Sequence, residues 1–124
     1  MTITEVSEKF GISPDTLRYY EKAGLIPHVT RSAGGARDYQ ENDLQWVQLA
    51  VCLRRAGLPI EAISRYVELN LQGEGTLAER VELLKTQREE LQKQIRETEE
   101  ALQLLEKKIR KYEERLYEFR TGHV

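Results

Sequence analysis

From Leu77 onward, apolar residues recur at alternating steps of four and three. The series runs Leu77, Val81, Leu84, Arg88, Leu91, Ile95, Thr98, Leu102, Leu105, Ile109, Tyr112, Leu116 and Phe119, and only Arg88 and Thr98 are polar. About six heptads of this spacing predict one helix of about 60 Å, at 1.5 Å rise per residue, with a narrow apolar seam. A helix lying on its own domain would need a wider stripe than the a and d positions supply. The seam is therefore expected to pair with a second helix, most simply that of another copy. Arg88 and Thr98 weaken such a seam and suit a role in fixing its register. Flanking charges leave orientation open: a parallel pair sets Arg80 beside Lys85, which repel, and Lys108 beside Glu113, which attract.

Composition changes sharply where this pattern begins. All three prolines fall in residues 1–72, whereas 73–124 are dominated by Glu, Lys, Arg, Gln and Leu. The chain divides at Gly73-Glu74-Gly75 into an amino-terminal domain, 1–72, and a dimerisation helix, 73–124. No apolar run approaches the ~20 residues needed to span a membrane, and no signal-peptide pattern opens the chain. A cytoplasmic protein is expected.

The formal charge of −2 lends no bulk support to nucleic-acid binding. Between Thr16 and Arg37, however, four basic residues, Arg18, Lys22, Arg31 and Arg37, face one acidic residue, Glu21. A local patch of this kind can hold phosphates while acidic residues elsewhere set the total. The single cysteine, Cys52, excludes an intrachain disulfide and a multi-thiolate zinc site. His28 and His123 lack partners at ligand spacing and read as surface or loop residues. Neither a metal nor a cofactor is expected.

Within 1–72, residues Thr4 to Phe10 are expected to form a short helix ended by Gly11. The segment "GISPDT" restarts the chain, because Ser13 suits an N-cap and Pro14 the first helical position. Two short helices joined by a glycine-containing turn form a helix-turn-helix pattern, which many helical hairpins share. On the second helix Leu17 and Tyr20 turn inward, and Arg18, Tyr19 and Lys22 outward. Thr16, Arg18 and Tyr19 suit phosphate oxygens and base edges, and Arg also suits guanine. A plain solvated face stays open as the alternative.

The next stretch, "GLIPHVTRSAGGARDY", is extended in character, with Gly34-Gly35 at its tip and Arg31 and Arg37 on its arms. A basic hairpin beside a recognition helix is the form of a wing gripping the DNA backbone. An ordinary connector would not need an arginine on each arm. Helices from about Asn42 to Ala56 and from about Ile60 to Leu71 follow, separated by "GLP". The expected fold is mainly α: a winged helix-turn-helix head with a small β-hairpin wing, then a long coiled-coil helix.

Three ordered segments, "TITEVSEKFGISPDTLRYYEKAGLI", "TRSAGGARDY" and "LRRAGLPIEAISRYVEL", resemble successive signatures of the MerR family of bacterial transcription regulators. With the long terminal helix, the likeness covers nearly the whole chain. "CLRRAGLPI" and "TLAERVELLKTQREEL" are similar to the family's small thiol- and aldehyde-responsive branch, the NmlR/AdhR-like group. The resemblance implies a homodimer with antiparallel long helices, seated through Leu77, Val81, Leu84, Leu91, Ile95, Leu102, Leu105, Ile109 and Tyr112. It implies two heads on double-stranded promoter DNA, distortion of an over-long spacer, and RNA polymerase as a partner at the promoter. By position, it implies DNA contacts from Thr16, Arg18, Tyr19 and Tyr20 on the recognition helix, Arg37 and Tyr39 on the wing, and Arg54 at the end of the third helix. Ala36 stands where many members carry an aromatic residue, so no contact is assigned there.

Cys52 is the candidate sensor. A helical wheel puts it beside Gln45, Gln48, Leu49, Arg55 and Ala56, at a polar edge away from Leu44, Val47 and Val51. Arg55, one turn on, suits stabilisation of a thiolate, although free cysteine often simply packs. The resemblance places a reactive cysteine on this helix, which suggests a small electrophile such as an aldehyde as effector. The large ligand domain that drug-binding members append is not expected in this chain, and no cysteine follows Cys52 where metal-sensing members generally place theirs. A non-thiol effector and a protein-interaction module without DNA binding are the rival readings. An enzyme is not expected, because no carboxylate pair, nucleophile–base set or metal cluster stands in the sequence.

Overall fold

The computed structural model describes residues 1–122. They form five α-helices: α1 Ile3–Phe10, α2 Pro14–Lys22, α3 Glu41–Arg55, α4 Ile60–Leu71 and α5 Leu77–Thr121, with a short 3₁₀ turn, Glu74–Thr76, before the last. His123 lies outside the described residues.

Local chemistry accounts for the helix ends. Thr2 and Glu5 close a capping box on α1, with the Glu5 amide donating to Thr2 Oγ1 at 3.2 Å and the Thr2 amide to Glu5 Oε1 at 2.9 Å. Gly11 ends α1 in the left-handed region, φ 68°, a conformation that glycine adopts without steric cost. Ser13 then caps α2, its hydroxyl accepting from the Thr16 amide at 3.1 Å, with Pro14 as the first helical residue. These caps set the tight turn between α1 and α2.

The wing is shorter than a full hairpin ladder. Among the described residues it contains one antiparallel bridge, Arg31 to Arg37. The Ser32 amide donates to Ala36 O at 2.8 Å, and the Asp38 amide to Thr30 O at 2.7 Å. Gly35, at φ 84°, turns the tip.

One core serves the head. Val6 of α1, Leu17 of α2, Leu25, Tyr39, Val47 of α3 and Ile63 of α4 are all almost fully buried. After α4, Thr76 is buried with its hydroxyl donating to Leu69 O at 2.7 Å, and Arg80 Nη2 donates to Gly73 O at 3.1 Å. Backbone contacts divide the chain into one compact unit of Met1–Gln87 and another from Arg88 onward. The first turns of α5 thus belong to the head, beyond the compositional boundary at residue 73.

Helix α5 contains no buried residue. Its seam residues Leu77, Val81, Leu84, Ile95, Leu102, Leu105, Ile109 and Tyr112 are all exposed, and Leu91 is half-buried. Among the described residues, no helix is long and apolar enough to cross a membrane.

Candidate nucleic-acid interface

Helix α2 presents two distinct faces. Leu17, Tyr20 and Glu21 are buried, whereas Arg18, Tyr19 and Lys22 are exposed. Thr16 is half-buried, its hydroxyl 2.9 Å from that of Ser13 at the helix start. Arg18 Nη1 donates to Asp15 Oδ1 at 2.8 Å, an i,i+3 pair with the carboxylate almost fully in solvent. Such an exposed pair holds weakly, so the guanidinium can exchange it for a phosphate at little cost. The positive end of the α2 dipole adds to a surface suited to anions.

The two tyrosines expected at this surface separate. Tyr19 is about half exposed, while Tyr20 retains 8% exposure and packs in the core. Their rings stand 6.5 Å apart at 56°. Tyr39 requires a correction. Expected as a wing contact, it is 1% exposed, and its hydroxyl has no hydrogen-bond partner among the described residues. The ring fills the core where the wing returns to α3, so it is placed to pack and not to touch DNA. Burial raises its phenol pKa above the ordinary value.

Glu21 organises the wing, a role sequence reasoning missed by counting it as one negative charge. Its side chain is 5% exposed. Oε1 accepts from Arg37 Nε at 2.9 Å, and Oε2 accepts from Arg31 Nη2 at 3.0 Å and from the Val29 amide at 3.0 Å. His28, almost wholly exposed, has Nδ1 3.6 Å from Oε2. Burial pushes the carboxyl pKa up, but the Val29 amide and the two guanidinium groups outweigh it, and the net shift is downward. Arg37 and Arg31 keep 24% and 42% side-chain exposure, so both pair with Glu21 and still reach solvent.

Of the remaining expected site residues, Arg54 is half-buried and donates from Nη1 to Leu58 O at 2.7 Å, across the α3–α4 turn. Cys52 is exposed. Arg55 is also exposed, but Nη2 donates to Phe10 O at 2.8 Å, so its guanidinium is directed to α1. Among the described residues, no three His, Cys, Asp or Glu side chains gather as a metal site.

The arrangement matches known proteins along the chain. Residues 1–69 match the family described as MerR HTH family regulatory protein, and residues 44–112 the one described as MerR, DNA binding. The HTH-type transcriptional regulator AdhR of Bacillus subtilis is 44% identical over 91 residues, covering 73% of this chain and 65% of AdhR. This chain therefore aligns with a little under two thirds of AdhR's length. A crystal structure described as a MerR family transcriptional regulator from Listeria monocytogenes has 44% identity and a TM-score of 0.87, covering 100% of this chain and 99% of that one. Another, HiNmlR, described as a MerR family regulator lacking the sensor domain and bound to promoter DNA, has 39% identity and a TM-score of 0.84. That match covers 91% of this chain and 90% of the other. These relatives are named as regulators, not enzymes. With this head, this wing and these matches, the chain belongs to the MerR family of helix-turn-helix regulators and is a DNA-binding transcription regulator of that type.

Proposed function

We propose that the protein acts as a homodimer that grips promoter DNA with two heads and distorts the duplex between them. The observation that carries this reading is the joint display of Thr16, Arg18, Tyr19 and Lys22 on α2, with the wing arginines fastened beside them by Glu21. Helix α2 enters a groove, Thr16 and Arg18 contact bases or phosphates, and Arg37 and Arg54 hold the backbone. Specificity then includes the sequence-dependent cost of deforming DNA. RNA polymerase is the partner that reads the deformed promoter, in the cytoplasm.

The long helices pair antiparallel. In a parallel dimer, position a faces its own copy, which would set Arg88 against Arg88 inside the seam. An antiparallel pair sets each Arg88 opposite a d position, where its aliphatic stem packs and its head group reaches solvent.

Cys52 is the sensor thiol in this reading. Its exposure supports access by a small electrophile, and the resemblance of "CLRRAGLPI" to the thiol- and aldehyde-responsive branch suggests aldehydes as the class. The thiolate adds to the carbonyl carbon, the C=O π bond breaks, and the alkoxide takes a proton to give a hemithioacetal. No oxidant is needed, and the step reverses when the aldehyde is removed. A polar adduct on α3 then shifts the packing of the head.

Footprinting on the DNA upstream of the protein's own gene tests both parts. Protection should fall steeply with salt, as phosphate neutralisation requires, and should change with aldehyde in wild type but not in Cys52→Ser. Salt-independent binding would overturn the DNA reading. A full aldehyde response in Cys52→Ser would overturn the thiol alone.

A further inference from the structure

We propose that Glu21 is a positioning residue for DNA recognition, one that locks the wing to the recognition helix in a single register. This inference rests on the reading of α2 and the wing as one DNA surface. Glu21 stands in the last turn of α2, one turn on from Arg18 but buried where Arg18 is exposed, and its carboxylate takes three donors from the connector and both arms of the wing. Arg31 and Arg37 are 10 and 16 residues further along the chain, yet both guanidinium groups meet at one carboxylate. With only one antiparallel bridge in the wing, backbone pairing does little to set its direction.

Each arginine is held by part of its fork alone. Arg37 commits Nε and Arg31 commits Nη2, and their other nitrogens make no hydrogen bond within the described residues. The remaining N–H groups are thus free donors on side chains that still reach solvent, Arg37 less than Arg31. Binding through such groups avoids the entropy of ordering two long side chains at the moment of contact. Phosphate contacts set a protein's register on the duplex, so a wing fixed to α2 also fixes which base edges α2 meets. Glu21 therefore acts on specificity through the arginines, and it touches no DNA itself.

The test is a set of affinities for two duplexes: one selected in vitro from a random pool with wild-type protein, and a scrambled version of it. Glu21→Gln is expected to lose roughly tenfold or more on the selected duplex, from the freed side chains, with little change on the scrambled one. That loss is expected to vanish in an Arg31→Ala/Arg37→Ala background. A penalty of equal size there would overturn the proposal, because Glu21 would then act through the core. Unchanged affinity of Glu21→Gln for the selected duplex would overturn it as well. Glu21→Asp keeps the buried charge but draws it back by one methylene, and serves if Glu21→Gln fails to fold. It is expected to show the same selective loss, and wild-type discrimination by it would overturn the proposal. If wild type selects no duplex from the pool, the DNA-surface reading fails first, before any variant is compared.

Discussion

Arg55, in the last turn of α3, donates from Nη2 to the carbonyl oxygen of Phe10 at 2.8 Å, joining positions 45 residues apart. The acceptor lies at the carboxy-terminal end of α1, where carbonyls lack helical partners and a cation is favoured by the dipole. Arg55 thereby ties the first helix of the head to the third. Replacing it with Ala is expected to lower unfolding free energy by about 1 kcal/mol, since the bond is charge-assisted but exposed. Urea denaturation measures this, and an unchanged midpoint would show that the contact contributes nothing.

Tyr39→Phe is expected to cost no stability and to raise it by up to about 1 kcal/mol. The buried hydroxyl has no partner to lose among the described residues, and removing it relieves an uncompensated polar group. DNA affinity should stay at the wild-type value. A clear loss of affinity would return Tyr39 to the contact surface.

The Glu21 carboxylate sets a pH dependence with a definite sign. Its folded pKa is lowered, so the stabilisation it supplies is complete above the unfolded value of about 4.3 and is lost as pH falls through the folded value. Between pH 5 and 8 this group contributes no slope. Carbon-detected NMR titration of the Glu21 carboxyl should give a midpoint below the ordinary glutamate value, and a midpoint at or above it would contradict the ion-paired geometry.

Ile95→Asp, at the centre of the α5 seam, is expected to weaken self-association by at least about a hundredfold, because each dimer would bury two unpaired charges. Sedimentation across a concentration series reads this directly, and an undiminished dimer would remove the seam from the interface. Arg88→Cys in a Cys52→Ser background separates the two orientations. A parallel pair sets the new thiols within disulfide distance, whereas the antiparallel pair does not. Rapid cross-linking on mild oxidation would refute the antiparallel arrangement.

Much of the head was legible because its signals are local. Ser13 and Pro14 announce the start of α2 through chemistry confined to one turn, and Gly11 announces the end of α1 through its left-handed backbone. The wheel also separated Arg18 and Tyr19 from Leu17 correctly, since a nine-residue helix has one covered face. What stayed hidden depends on contacts between segments distant in the chain. Glu21 reads as an ordinary helix glutamate until the wing returns over it, and only then does it gain Arg31 and Arg37. Tyr39 follows an arginine-bearing arm and looks like part of the grip, yet the chain turns there toward α3 and draws the ring inward. Arg55 likewise reads as a neighbour of Cys52 by spacing, while its guanidinium serves α1.

If α5 pairs as proposed, its uncovered seam makes the regulator depend on its own abundance. Helix α5 contains no buried residue, and a lone helix owes most of its stability to packing. In the proposed dimer, order in that segment would be governed by mass action between copies and not by the chain alone. At low copy number the subunits would carry intact heads on frayed stalks. DNA with two half-sites would raise their local concentration and so help to assemble its own reader.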